Sequence, residues 1–113
     1  MEAEVLTSAQ FLQQQKKVGL SKIAIVLGSG LGTFTDSIKV DVTVPYADIP
    51  SFPRSTVEGH RGRFISATIN KVPIFILEGR FHFYEGKRLQ EVSFPIRVLK
   101  KLGVETLIVT NAA

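Results

Sequence analysis

The ten residues IAIVLGSGLG at positions 23–32 join an apolar run to a glycine-rich loop. The run from Ile23 to Leu27 is rich in β-branched residues, which is typical of a strand buried on both faces of a sheet. In the loop, glycines allow the backbone to approach an anion, and successive N–H groups can form a concave site to which Ser29 adds a hydroxyl. The loop lacks the Gly-Lys-Ser/Thr of a Walker A sequence, and Thr33 replaces the third glycine of a dinucleotide fingerprint. The junction predicts an anion-binding loop or, more plainly, a tight strand-to-helix turn.

Two segments have the apolar spacing of helices that pack on a sheet. Thr7 to Val18 is predicted to be an amphipathic helix whose first residue or Ser8 provides the cap. Val92 to Leu102 is predicted to be a second helix, with Pro95 in the first turn, where proline is tolerated. The side chains of this second helix that we expect to face the core are Val92, Ile96, Val98, Leu99 and Leu102.

Four more strands are predicted on either side of the second helix. Residues 38–44 alternate apolar and polar side chains, which indicates a half-exposed strand. Residues 63–69 and 72–77 are separated by Asn70-Lys71, which favours a hairpin. The apolar run at 106–110, after Gly103, predicts another buried strand. Three prolines between the first two of these strands predict an irregular surface segment from residue 45 to residue 59.

The composition excludes several classes of protein. The 113 residues are 44% apolar, which is enough for a core and too much for a disordered chain. The absence of cysteine excludes a disulfide scaffold, a zinc knuckle and a thiol nucleophile. With two histidines and no clustered ligands, no metal site is expected. No apolar run approaches the roughly 20 residues of a membrane span, and the net charge of +4 is compatible with an anionic small molecule. We therefore expect a cytoplasmic protein that does not bind membranes.

The order of elements predicts an α/β fold with a mixed, largely buried sheet flanked by helices. The sequence given stops at Asn111-Ala112-Ala113, directly after a predicted buried strand. A sheet that ends there would leave an apolar edge uncovered. We therefore expect residues 1–113 to be the N-terminal part of a larger protein, or a truncated gene product.

A second polar cluster, residues 79–86, follows the strand that ends near Leu77. Arg80 has a planar fork of donors that matches phosphate oxygens, and His82 can donate to the same anion. In an extended chain Arg80, His82 and Tyr84 would project on one side. The plainer interpretation is a solvated polar rim with an aromatic edge packed on the core.

Two further clusters suit the same chemistry. His60-Arg61 has a glycine on each side, so it predicts a mobile basic loop that could close over an anionic substrate, or equally an ordinary surface turn. Ala112 follows the last strand, and its backbone N–H could point into the crevice at the strand ends. Together the four clusters predict a site for a phosphate-like anion, without specifying a reaction. Scattered lysines give no basic stripe for nucleic acid.

The sequence resembles purine-nucleoside phosphorylases, specifically the trimeric class that prefers 6-oxopurine nucleosides. The resemblance runs from about Lys22 to the last residue, with the motifs VLGSGLG at 26–32, TVEGHRG at 56–62, EGRFHFYEG at 78–86 and VTNAA at 109–113. It implies a nucleoside phosphorylase-like fold, truncated here, in which residues 1–113 are the N-terminal part of a single domain. It also implies phosphorolysis of a purine nucleoside of the inosine or guanosine type, with inorganic phosphate as co-substrate and no cofactor. The products would be the free purine and ribose 1-phosphate.

The resemblance also implies roles for individual residues. Ser29, Arg80, His82 and the Ala112 backbone would bind phosphate, and His82 is the expected catalytic residue. His60 would lie near the phosphate on its loop, and Tyr84 would contact the ribose. The family's purine-recognition residues lie beyond residue 113, so we expect residues 1–113 to be inactive by themselves and the longer protein to be a homotrimer. The alternatives are a methylthioadenosine phosphorylase relative and a non-catalytic phosphate- or nucleotide-binding module.

Overall fold

The structure is a computed structural model, and it describes residues 2–27, 32–52, 62–79 and 89–110. In these residues, four strands lie between the two α-helices and a fifth strand follows the second helix, with short 3-10 helices at Gly32–Ser37 and Tyr46–Asp48. These elements are α1 (Glu2–Gln14), β1 (Ile23–Leu27), β2 (Lys39–Pro45), β3 (Arg63–Ile69), β4 (Val72–Glu78), α2 (Leu89–Lys101) and β5 (Thr106–Val109).

The hairpin of β3 and β4 forms around the two-residue turn that the sequence predicts. Asn70 and Lys71 both have positive φ, 50° and 68°. Positive φ at both central residues is the turn geometry whose twist matches that of the flanking strands. The antiparallel pairing therefore continues without interruption from Ile69 opposite Val72 to Arg63 opposite Glu78.

The strands form one mixed sheet in the order β2-β3-β4-β1-β5. β1 is parallel to β4 on one side and to β5 on the other, whereas β2 and β3 pair antiparallel. The last residues of the three parallel strands, Leu27, Glu78 and Val109, thus lie at one edge of the sheet, which we call the carboxyl edge. The opposite ends of the same strands form the amino edge. This architecture confirms the predicted α/β class with a mixed sheet.

Successive side chains of the central strands point to opposite faces of the sheet, so the core has two layers. On one face, α1 and α2 pack against the sheet through buried side chains that include Val5, Leu12, Phe64, Phe75, Leu77, Val98 and Leu99. On the other face, a smaller cluster contains Leu27, Ile65, Ala67, Ile74 and Ile76, with Phe34 and Ile38 packed against it. Within the described residues, both α-helices therefore lie on the same side of the sheet.

Helix α1 begins and ends earlier than the sequence pattern predicts. Val5, Ala9 and Leu12 are its buried apolar residues, and their spacing of four and three places them on one helical face. The prediction of a cap at Thr7 or Ser8 is wrong, because both lie inside the helix. Thr7 Oγ1 donates to the Ala3 carbonyl at 2.9 Å, and Ser8 Oγ donates to the Pro50 carbonyl.

Helix α2 begins three residues before the predicted start, so Pro95 lies in its interior rather than in its first turn. Val98 and Leu99 are buried as predicted, but Ile96 is 46% exposed, so its expected core position is wrong. The helix ends as predicted before Gly103, whose φ of 101° allows the next N–H to reach back to the Leu99 carbonyl at 3.1 Å. Of the helices described, none is long and apolar enough to cross a membrane.

Two predictions about burial are wrong. β5 is an edge strand of the described sheet, and Ile108 and Val109 are about half exposed rather than buried. Conversely, the described part of the predicted surface segment 45–59 contains the buried side chains of Tyr46, Ile49 and Phe52. The Phe52 ring lies 4.9 Å from that of Tyr46 and 6.1 Å from that of Phe94, so this segment forms part of the core.

Leu12→Ala tests whether α1 is an integral part of this core. Leu12 is fully buried, so the substitution should lower the free energy of unfolding by about 2–5 kcal/mol. Leu20→Ala is the matched control, because Leu20 is 81% exposed and its truncation should change stability by less than about 0.5 kcal/mol. Urea unfolding measures both, and equal effects of the two variants would contradict the described packing.

Candidate functional site

The carboxyl edge is where the predicted anion-binding loops leave the sheet. Leu27 pairs with Glu78, and Val26 pairs with Val109, so the ends of β1, β4 and β5 are aligned across three adjacent strands. Neighbouring strands are about 4.8 Å apart. The segments that continue from these three ends therefore all begin within about 10 Å of one another.

The predicted site residues themselves lie outside the described part of the chain. They are Ser29, His60, Arg80, His82, Tyr84 and Ala112. The structure does describe the residues on which their loops are anchored. β1 leads into the loop with Ser29, β4 into the loop with Arg80 and His82, and β5 into the segment with Ala112.

The loop that carries His60 reaches the same edge from the other direction. It leads into β3, whose first residue Arg63 pairs with Glu78 at the end of β4. β3 is antiparallel to β4, so the start of β3 and the end of β4 lie side by side. All four predicted clusters are consequently attached to one edge of one sheet.

Glu78, the last residue of β4, accepts hydrogen bonds on both of its carboxylate oxygens. Arg63 donates to Oε1 from Nε at 2.9 Å and also from Nη2. Thr35 Oγ1, in the first 3-10 helix, lies 3.3 Å from Oε2 and donates to it. Two donors of one guanidinium therefore converge on Oε1, which leaves Oε2 to Thr35.

The buried Tyr46 holds two backbone residues next to this ion pair, one directly before Arg63 and the other directly after Glu78. The Tyr46 hydroxyl donates to the carbonyl of Gly79 at 3.0 Å, and the Tyr46 N–H donates to the carbonyl of Gly62 at 3.1 Å. Burial raises the pKa of the Tyr46 phenol, and the negative charge of Glu78 raises it further. The phenol is therefore held as a neutral donor to Gly79, the residue directly before Arg80.

The end of β5 is fastened to β1 by two hydrogen bonds. Both the N–H and the Oγ1 of Thr110 donate to the carbonyl of Val26, at 3.0 and 2.9 Å. These bonds hold the chain next to the glycine loop at the point where it continues toward Ala112. Thr110, the last described residue, is thus fixed against β1.

Arg63, Glu78, Thr35 and Tyr46 are residues of this edge that sequence reasoning missed. A signal for the ion pair was present, because a two-residue turn at Asn70-Lys71 places Arg63 opposite Glu78 in the hairpin register. No comparable signal exists for Thr35 or Tyr46, which reach the edge through tertiary packing. Among the described residues, no group of three or more His, Cys, Asp or Glu could hold a metal ion.

Comparison with known proteins identifies the family. Residues 22–113 match the family model described as the phosphorylase superfamily. The chain belongs to this superfamily. Over 113 residues it is 49% identical to purine nucleoside phosphorylase 1 of Bacillus subtilis, an alignment that covers 100% of the chain and 41% of that relative.

Solved structures of purine nucleoside phosphorylases have the same fold as this member of the superfamily. One, in complex with ribose 1-phosphate, superimposes with a TM-score of 0.88 at 43% identity, covering 98% of the chain and 40% of that structure. The Schistosoma mansoni protein in complex with inosine gives a TM-score of 0.86 at 40% identity, covering 98% and 38%. These matches confirm the resemblance and the fold predicted from the motifs. The chain spans about two fifths of the length of these relatives.

Gly62→Ala tests the contact between Tyr46 and the start of β3. A Cβ at position 62 would lie 1.9 Å from Cδ2 of the Tyr46 ring, so the ring or the backbone must move. We expect a loss of about 1–3 kcal/mol in the free energy of unfolding. In Gly19→Ala, the matched control, the added Cβ meets nothing within 4 Å. Chemical unfolding that shows no difference between the two variants would contradict the contact.

The raised pKa of Tyr46 predicts a specific loss of stability in alkaline solution. Below the ordinary tyrosine pKa of about 10, the phenol is protonated in both folded and unfolded chains, so its contribution is constant. Above that pH the unfolded chain releases the proton and the folded chain keeps it, so stability falls by up to about 1.4 kcal/mol per pH unit. Urea unfolding from pH 8 to 11 should show a shallower decline for Tyr46→Phe. Identical slopes would contradict a buried neutral phenol.

Proposed function

We propose that the protein to which these residues belong is a purine-nucleoside phosphorylase. Inorganic phosphate would attack C1′ of a nucleoside of the inosine or guanosine type. The new bond joins a phosphate oxygen to C1′, the C1′–N9 bond breaks, and the base leaves with its electron pair and takes up a proton. The products are the free purine and ribose 1-phosphate. Inorganic phosphate is a co-substrate in this scheme, and the chemistry asks for no cofactor.

The observation that supports this proposal most strongly is the common edge of β1, β4 and β5. In α/β sheets, ligands bind at the carboxyl ends of parallel strands. Here that edge carries a glycine loop, an Arg-x-His sequence and a strand exit, which are three sources of donors for one oxyanion. The names of the similar proteins, and the complex of one with ribose 1-phosphate and of another with inosine, favour the same chemistry.

Each predicted site residue has a role in the proposal. The Ser29 hydroxyl and the Ala112 N–H bind phosphate oxygens, while Arg80 clamps them with two parallel donors. His82 donates to the phosphate and is the catalytic residue among those in this chain. His60 assists closure of its loop, and Tyr84 contacts the ribose.

Positioning and electrostatics account for the catalysis in this scheme. As the glycosidic bond stretches, C1′ develops oxocarbenium character, which an adjacent phosphate dianion stabilises before it captures the sugar. Holding the two reactants in line converts an encounter into an effectively intramolecular step. Donors already oriented around phosphate need no rearrangement as charge develops. No covalent intermediate with the protein is required.

The chain spans about two fifths of its relatives, and we propose that it is the N-terminal part of one such domain. Base recognition would then lie in residues beyond position 113, so residues 1–113 by themselves should show little turnover. The resemblance to the trimeric class further favours a homotrimer in the cytoplasm. Its partners in this proposal are small molecules rather than membranes or nucleic acid. The resemblance of residues 80–86 to the purine-nucleoside phosphorylases argues against the alternative, a methylthioadenosine-cleaving relative.

Arg80→Ala tests the function and the phosphate clamp together. The assay is phosphate-dependent cleavage of inosine by the protein in its native length. Loss of a charge-assisted contact costs roughly 1.5–3 kcal/mol, so the apparent phosphate constant should rise by about ten- to a hundredfold. Arg97→Ala is the matched control, because Arg97 is exposed on α2 and should leave that constant unchanged.

Three results would contradict the proposal in different ways. Unchanged phosphate dependence in Arg80→Ala would remove that residue from the clamp. Preference for methylthioadenosine over inosine would assign the chain to the other relative. Phosphate binding without any nucleoside cleavage would indicate the non-catalytic module.

A further inference from the structure

One carboxylate connects the segments that carry three of the four predicted clusters. Glu78 directly precedes Gly79-Arg80. Its Oε1 is bound by Arg63, which follows the loop of His60 into β3, and its Oε2 is bound by Thr35, in the 3-10 helix that follows the glycine loop. We propose that Glu78 is a positioning residue for phosphate binding, because it ties together the described residues that flank these three loops, an inference that rests on the proposed function.

The environment of Glu78 suits a fixed tie rather than a solvated ion pair. The side chain of Glu78 is 19% exposed, and that of Arg63 is 41% exposed. Thr35 is buried, with 8% of its surface exposed. Directly after Glu78, the Gly79 carbonyl is held by the buried Tyr46 hydroxyl at 3.0 Å. Both residues that precede Arg80 are therefore anchored, one through its side chain and the other through its backbone.

The charge of Arg63 makes such a tie compatible with an anion site. A carboxylate by itself would repel a phosphate dianion at the same edge of the sheet. The positive charge of the adjacent Arg63 guanidinium neutralises it, so the connection brings no net negative charge. By contrast, the Lys22–Glu105 pair at the amino edge is 3.7 Å long, with side chains 81% and 63% exposed, and exposed pairs of this kind contribute little.

Two substitutions of Glu78 separate positioning from charge. Glu78→Ala and Glu78→Gln make the same change in charge, and each leaves Arg63 unneutralised. If the change in charge were the only effect, both substitutions would therefore strengthen phosphate binding equally. Only Gln keeps an acceptor for Arg63 and a polar partner for Thr35, so the difference between the two variants isolates the tie.

The experiment measures apparent phosphate and inosine constants of the protein in its native length at fixed ionic strength. We expect Glu78→Ala to raise the phosphate constant about tenfold, the size of a lost charged hydrogen bond, and to leave the inosine constant within about twofold. Glu78→Gln should stay within about threefold of the parent protein. Glu105→Ala, the matched control in the exposed pair, should change neither constant. If Glu78→Ala does not fold, Thr35→Val removes one donor of the tie and should raise the phosphate constant less, in the same direction.

Equal phosphate constants for the Ala and Gln variants would overturn the proposal, as would a parallel loss of phosphate and inosine affinity in Glu78→Ala. If the parent protein does not cleave inosine, the proposed function fails, and calorimetric titration with sodium phosphate then decides the inference. Weaker phosphate binding by Glu78→Ala than by Glu78→Gln would still support the tie. No phosphate binding by the parent protein would overturn it.

Discussion

Backbone hydrogen bonds join β1 to a parallel neighbour on each side, β4 on one and β5 on the other. Parallel strands run in the same direction, so the segments that follow all three strands begin at the same edge of the sheet. The apolar side chains of β1 alternate between the two layers of the core, which fixes its register. A slip of one residue would reverse both faces, so the packing of the core also sets the alignment of the loops.

At the carboxyl edge, this strand alignment is reinforced by polar contacts that cross between elements. Tyr46 holds the backbone at Gly62 and Gly79, Thr110 holds β5 to β1, and Glu78 gathers Arg63 and Thr35. These donors and acceptors therefore lie close to the points where loops leave the sheet. A rigid edge of this kind suits a reaction whose catalysis rests on orienting an anion.

Local sequence signals predicted the elements whose geometry is local. The Asn70-Lys71 turn predicted the β3–β4 hairpin, and Gly103 predicted the end of α2, since both depend on positive φ within a few residues. The motifs also predicted that four clusters would follow or precede strands of one sheet. The two wrong predictions about burial depended on contacts distant in sequence. Burial of Tyr46 and Phe52 depends on α2 and β3, and exposure of β5 depends on its place in the strand order.

The most direct test of the account is hydrogen–deuterium exchange of the protein in its native length, with and without inorganic phosphate. The account predicts slower exchange with phosphate in peptides that cover the carboxyl edge, around residues 26–32, 60–64, 78–82 and 109–112. It predicts no change at the amino edge, around residues 19–23 and 101–105. Protection at the amino edge, or at only one of the four segments of the carboxyl edge, would contradict a single oxyanion site assembled from all of them.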